Sequence, residues 1–220
     1  MAAPVLLFSV IAHEYAHGYA ALKQGDTTAL SLGRLTWNPI KHIDPFMTVI
    51  LPLVLAVSSG GRIILGGAKP VPVNPRNYRN FKRGDIIVSL AGVTVNLLIA
   101  LGAMIVFVLA GLLGHALSGI ETTLTIVQAM MYVAVQLNLL LVVFNLLPIP
   151  PLDGSHVVKY LLPLRLAVWY QQIGRFGIVI LVLFLAFGGN LLNLWQRSAE
   201  SFIGGLLGPY ALPSLPEWLA

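Results

Sequence analysis

Cysteine is absent from the 220 residues, and Asp, Glu, Lys and Arg together supply only 10% of them. The first absence removes disulfide frameworks, thiolate metal sites and thiol nucleophiles together. Any metal must then be held by His, Asp or Glu. The second excludes a soluble globular surface, since soluble domains carry roughly 25% charged residues. Polar stretches long enough for an appended soluble domain are lacking too; the longest are residues 23–45 and 59–85. No internal repeat or low-complexity segment occurs. What the chain has in abundance is apolar: 57% hydrophobic side chains and a mean hydropathy of +0.85. This is the composition of an integral membrane protein.

The net charge is +5 and the pI is near 9.7. In a soluble protein that balance would suggest nucleic acid. In a membrane protein a Lys/Arg excess is the orientation signal of cytoplasmic loops, so the expected partner is the lipid bilayer and no nucleic acid is expected. A span needs about 20 apolar residues. Full spans are predicted at about 1–22, 86–113, 124–147 and 176–195, with a short hydrophobic segment at 46–58 interrupted by Pro52. The C-terminal tail, 196–220, contains Gly204, Gly205, Pro209, Pro213 and Pro216 and is not expected to span. Segment 1–22 has no basic n-region and reads as a span rather than a signal peptide.

Charge then orders the topology. If the first span runs from outside to inside and 46–58 dips in without crossing, 12 of the 13 basic residues lie inside, all but Arg197. If 46–58 crosses, Lys23, Arg34 and Lys41 move outside and the split becomes 9 to 4. The first arrangement fits the positive-inside tendency. The predicted fold is a polytopic all-α membrane protein of one domain, 1–220. It has about four full spans, a re-entrant or interfacial segment at 46–58, and a small β element.

Two motifs carry chemistry. His13-Glu14-Tyr15-Ala16-His17 is an H-E-x-x-H inside an apolar helix. Its i, i+4 spacing puts both imidazoles on one face, within reach of one Zn²⁺, with Glu14 beside them to accept a proton from a metal-bound water. Ionisable groups inside a span are costly and point to function; the alternative is a pair of structural buried histidines. The second motif, Asn145-Leu-Leu-Pro148-Ile-Pro150-Pro151-Leu-Asp153-Gly154, cannot continue a helix through its three prolines. It puts Asp153 on a loop, with Gly154 permitting a tight turn; alone it would pass for a helix end with a turn aspartate. At about 1.5 Å per residue, the histidines lie roughly 9–15 Å inside the boundary marked by Lys23. Asp153 sits near the same face if the first and third full spans run in the same direction.

HEYAH in the first span followed by NLLPIPPLDG at the end of a later one resembles the site-2 protease family of intramembrane zinc metalloproteases. GRLTWNPIKHIDP (33–45) and GGAKPVPVNPRNYRN (66–80) resemble its small bacterial and archaeal branch, which has no PDZ or CBS domain. The resemblance runs from residue 11 to about 160. It implies that His13, His17 and Asp153 hold one Zn²⁺ per chain. Glu14 would be the general base and then the acid for the leaving amine. Asn145 matches the family asparagine that helps hold substrate or the oxyanion. Gly92-Val-Thr-Val-Asn96 fits the family's G-x-x-x-N pattern, with Val93 where a proline is usual. The implied function is hydrolysis of peptide bonds in or near transmembrane segments of membrane proteins. The implied location is a bacterial or archaeal plasma membrane, with the active site toward the cytoplasm.

The family's re-entrant β element suggests strands at Arg62–Gly66 and at Val71 and Val73, where a substrate could add as an extended strand. His42 and Asp44 read as loop-packing groups or supports of the site, His156 as an aqueous-edge residue and His115 as a solvated loop residue at the opposite face. Asn96, Gln136 and Asn138 suit interhelical hydrogen bonds, and Arg76–Arg83 suits anionic headgroups. Two other classes compete. A silent adaptor of the same fold would not require Glu14, and a zinc transporter would need polar residues through the full membrane depth, which the outer halves of the later spans lack.

Overall fold

The computed structural model describes residues 2–50, 53, 54, 57, 67–117, 119–187 and 189–215. Among these residues the regular elements are helical and none is a strand. They are α1 (Ala2–Gln24), α2 (Thr28–Ser31), α3 (Phe81–Ala116), α4 (Glu121–Leu146), α5 (Asp153–Val158), α6 (Leu164–Ile173), α7 (Gly177–Phe187) and α8 (Gly189–Leu207). Short 3₁₀ turns cover Pro39–His42, Pro75–Asn77, Gly174–Phe176 and Gly208–Tyr210, and Pro45–Ile50 winds as a π-helix.

Three stretches among the described residues are long and apolar enough to cross a membrane: Phe81–Ala116, Glu121–Leu146 and Leu164–Phe184. The expected count was four. α1 has the length, 23 residues, but His13, Glu14 and His17 dilute its apolar character. Where a span was expected at 176–195, Gly177–Phe187 and Gly189–Leu207 are helical, and residue 188 lies outside the described residues. α8 continues to Leu207, through much of what reads as tail. Residues 51, 52, 55, 56 and 58 of segment 46–58 and all of 62–66 lie outside the described residues. Val71 and Val73 are described and belong to no strand.

The chain forms two compact units. One comprises residues 1–9, 96–143 and 189–220. Its buried cluster includes Ala103, Phe107, Ala129, Tyr132, Ala134, Val135, Ile203 and Leu207. Small residues suit this setting, since helices in lipid associate through close packing rather than through expulsion of water. Gln128, fully buried, donates from Nε2 to the carbonyls of Phe107 (3.1 Å) and Tyr210 (2.8 Å), and its Oε1 accepts from Leu212 N–H (3.0 Å). It ties α4 to α3 and to the C-terminal turn. Asn138 donates to Ser9 Oγ at 2.8 Å, as an interhelical role requires. Asn96 departs from that expectation: it is fully buried, and neither of its amide atoms is paired among the described residues.

The other unit comprises residues 10–95 and 144–188. α1 closes here with Gly25 at φ 108°. Gly25 N–H bonds Leu22 O (3.1 Å) and Asp26 N–H bonds Ala21 O (2.9 Å), the paired bonds of a glycine-terminated helix end. The next residue, Asp26, is 1% exposed. It accepts from the Asn74 and Thr28 amides, the Thr28 hydroxyl and Asn77 Nδ2, so one carboxylate fastens the end of α1 to the 74–77 turn. Burial raises its pKa, but those donors outweigh it and the net shift is downward. A carboxyl with a lowered folded pKa stabilises above its unfolded value of about 3.9 and loses that contribution as pH falls through the folded value. Asp26→Asn is expected to cost about 1–3 kcal/mol at neutral pH. Thermal melts should show wild type losing stability below roughly pH 4 while the variant changes less. Equal melting points at pH 7 would refute the role.

Candidate metal centre

α1 presents His13 and His17 one turn apart on one face, with Nε2 atoms 2.9 Å apart. His17 Nδ1–H donates to the carbonyl of Val88 on α3 at 2.7 Å. That bond assigns the proton to Nδ1 and turns a lone pair on Nε2 toward His13. Asp153 Oδ2 lies 3.2 Å from His13 Nε2 and 3.3 Å from His17 Nε2. It is a buried oxygen that makes no geometrically sound hydrogen bond. Two imidazoles and a carboxylate thus offer ligand atoms within 4.8 Å of one another.

The donor set fits zinc. Ligands at about 2.0–2.1 Å in a tetrahedron lie about 3.3 Å from each other, close to the observed separations. The orphaned Asp153 oxygen is the kind of group that a cation satisfies. Burial raises the Asp153 pKa, but the adjacent His13 and His17 rings outweigh it and hold it at about 2, so it stays an anionic acceptor.

Two glycines make the approach possible. A Cβ on Gly92 would come within 2.5–2.6 Å of three His13 ring atoms, so the ring rests directly on the backbone of α3. A Cβ on Gly154 would lie 2.2 Å from the Leu146 carbonyl oxygen. Asp153 was expected on a loop, with Gly154 serving a turn. Asp153 instead opens the short helix α5, and Gly154 serves close packing of that helix against the end of α4, without a positive φ.

Glu14, half-buried, accepts from Val71 N–H through Oε2 at 2.7 Å. Asn145 sits in the last turn of α4, half-buried, and is not among the three converging donors. His42 is buried, its Nε2 bonding the Thr36 carbonyl at 2.9 Å, and it packs the 36–42 loop. His156 faces Asp85 at 3.4 Å rather than the centre. His115 is exposed near the end of α3. Sequence reasoning missed the Val88 carbonyl and the Val71 amide, because backbone groups carry no residue signature. It also passed over Asp85, whose only signal was a carboxylate at the start of a long apolar run.

A helical membrane protein with a partly buried His–His–Asp cluster and a glutamate beside the first histidine has the donor set of the metalloprotease class. The sequence matches peptidase family M50 over residues 1–187, and the chain belongs to that zinc-dependent family, the site-2 proteases. It is 40% identical over 192 residues to YwhC of Bacillus subtilis (strain 168), covering 86% of this chain and 82% of YwhC. Rip2 of Mycolicibacterium smegmatis is 33% identical over 148 residues, covering 67% of this chain and 52% of that protein. Rip2 of Mycobacterium tuberculosis (strain H37Rv) is 32% identical over 194 residues, covering 86% and 67%. All three carry the name of a zinc metalloprotease. No solved structure matches the chain significantly. With its several apolar helices, the chain is a multi-pass membrane metalloprotease.

Proposed function

We propose that this protein is an intramembrane zinc endopeptidase that hydrolyses peptide bonds in or near transmembrane segments of other membrane proteins. The observation that carries the reading is the convergence of His13 Nε2, His17 Nε2 and Asp153 Oδ2. α1 serves as a fourth span, its polar cost accepted because it carries two of the three donors.

Zinc, when bound, polarises the scissile carbonyl and lowers the pKa of water toward 7. The residues of this chain do the rest. His17 is held in its ligating tautomer by the Val88 carbonyl. Glu14 is anchored through Oε2 by the Val71 amide, and Oε1 takes the proton from the attacking water and later delivers it to the leaving amine. Asn145, at the end of α4, holds the substrate backbone or the developing oxyanion. The positive-inside count supports an active site toward the cytoplasm. The 69–74 segment brings extended backbone up to Glu14, but its Val71 amide is already engaged and is not free to pair with a substrate strand.

Metal removal tests the reading. Purified protein in liposomes is expected to cut a single-span reporter, to lose that activity on chelation and to regain it with stoichiometric zinc. Cleavage that persists in metal-depleted protein, or zinc-loaded protein that cuts soluble peptides but no single-span segment, would overturn it.

A further inference from the structure

The three metal donors come from two segments far apart in sequence, yet one stripe of α3 touches both. Its Val88 carbonyl accepts from His17 and its Gly92 supports the His13 ring. One turn before Val88 stands Asp85, 3% exposed. Positions 85, 88 and 92 follow i, i+3, i+7 and share a helix face. The Asp85 carboxylate reaches the other segment. Oδ2 pairs with Lys159 Nζ at 2.5 Å and accepts from Tyr160 O–H at 2.8 Å, and Oδ1 lies 3.4 Å from His156 Nδ1. His156 belongs to α5, and Lys159 and Tyr160 follow it directly, while Asp153 opens α5.

Asp85 therefore grips the C-terminal end of the six-residue helix whose first residue is the third donor. A helix that short has little stability of its own, so its orientation is set by what holds its ends. At the other end, Gly154 packs on the Leu146 carbonyl. Removing the Asp85 contacts frees one of the two holds. Nothing in the proposed chemistry uses Asp85, and burying a carboxylate and an ammonium is a weak route to stability, which leaves geometry as the reason for the pair.

We propose that Asp85 is a positioning residue of the metal centre, and that with Lys159 and Tyr160 it sets α5 so that Asp153 meets the two histidines held by the same face of α3. This rests on the zinc reading above, and the experiment separates the two. Zinc affinity and the cobalt(II) d–d spectrum are measured on purified full-length protein, wild type against Asp85→Asn, Asp85→Glu and Tyr160→Phe, with melting curves alongside.

Asp85→Asn is expected to weaken zinc binding about 10–100-fold, the usual effect of losing an outer support of a ligand, and to alter the cobalt spectrum. Asp85→Glu should recover part of the affinity. Tyr160→Phe, which keeps the ion pair and the ring, should weaken zinc binding by about threefold or more for the one bond lost. If Asp85→Asn does not fold, Tyr160→Phe decides. Wild-type protein without zinc or cobalt affinity would bring down the zinc reading itself. Wild-type affinity and spectrum in Tyr160→Phe, or in a folded Asp85→Asn, would overturn the positioning role and leave the zinc reading standing.

Discussion

Glu14→Gln is expected to leave zinc content unchanged and to lower the rate of membrane-substrate cleavage by about 10²–10⁴-fold, the usual contribution of a positioned acid–base group. The substitution is nearly isosteric. A glutamine oxygen can still accept from the Val71 amide, so the local fold has no reason to change. What disappears is the carboxylate that takes a proton from water. The paired measurement is metal analysis and turnover on one preparation. Full turnover in the variant would remove Glu14 from the mechanism. Wild-type protein that binds zinc yet cuts no membrane segment, with a biological effect that survives Glu14→Gln, would favour the silent adaptor.

Asp153→Ala is expected to weaken zinc binding by more than the roughly 100-fold that losing an outer support can cost. His13 and His17 stay poised on α1, the latter by the Val88 carbonyl, but two imidazoles make an incomplete site for a metal that takes three protein ligands and keeps one position open. α5 should survive, because Asp153 is its first residue and alanine is a good helix former. Unchanged zinc affinity in the variant would mean that the two motifs, which lie 136 positions apart between His17 and Asp153 in the numbering, do not share an ion. Metal analysis by titration, with a melting curve to establish folding, reads the result directly.

The sequence announced some of this plainly. The H-E-x-x-H spacing dictates that two imidazoles share one helix face whatever surrounds them, and an apolar helix gives its few polar residues away. Prolines at 148, 150 and 151 end α4 because they cannot supply backbone donors. Other features were misread for equally physical reasons. Segment 176–195 stands out by hydropathy, whereas among the described residues the stretch long and apolar enough to cross begins at Leu164. Val71 and Val73 alternate like a strand, yet the Val71 amide serves a carboxylate 57 positions away.

Local periodicity, charge bias and a metal-ligand spacing are properties of neighbouring residues, so composition and motif alone determined that this is a membrane protein, with a helix of metal-ligand spacing and a proline break ahead of Asp153. Which backbone groups support the site was decided by the tertiary structure. The Val88 carbonyl, the Val71 amide and the bare backbone at Gly92 have no side chain by which a sequence could mark them. The pairing of Asp85 with Lys159 likewise exists only because α3 packs beside α5. Long-range contacts of this kind depend on which faces meet, and a linear chain does not state that until it is folded.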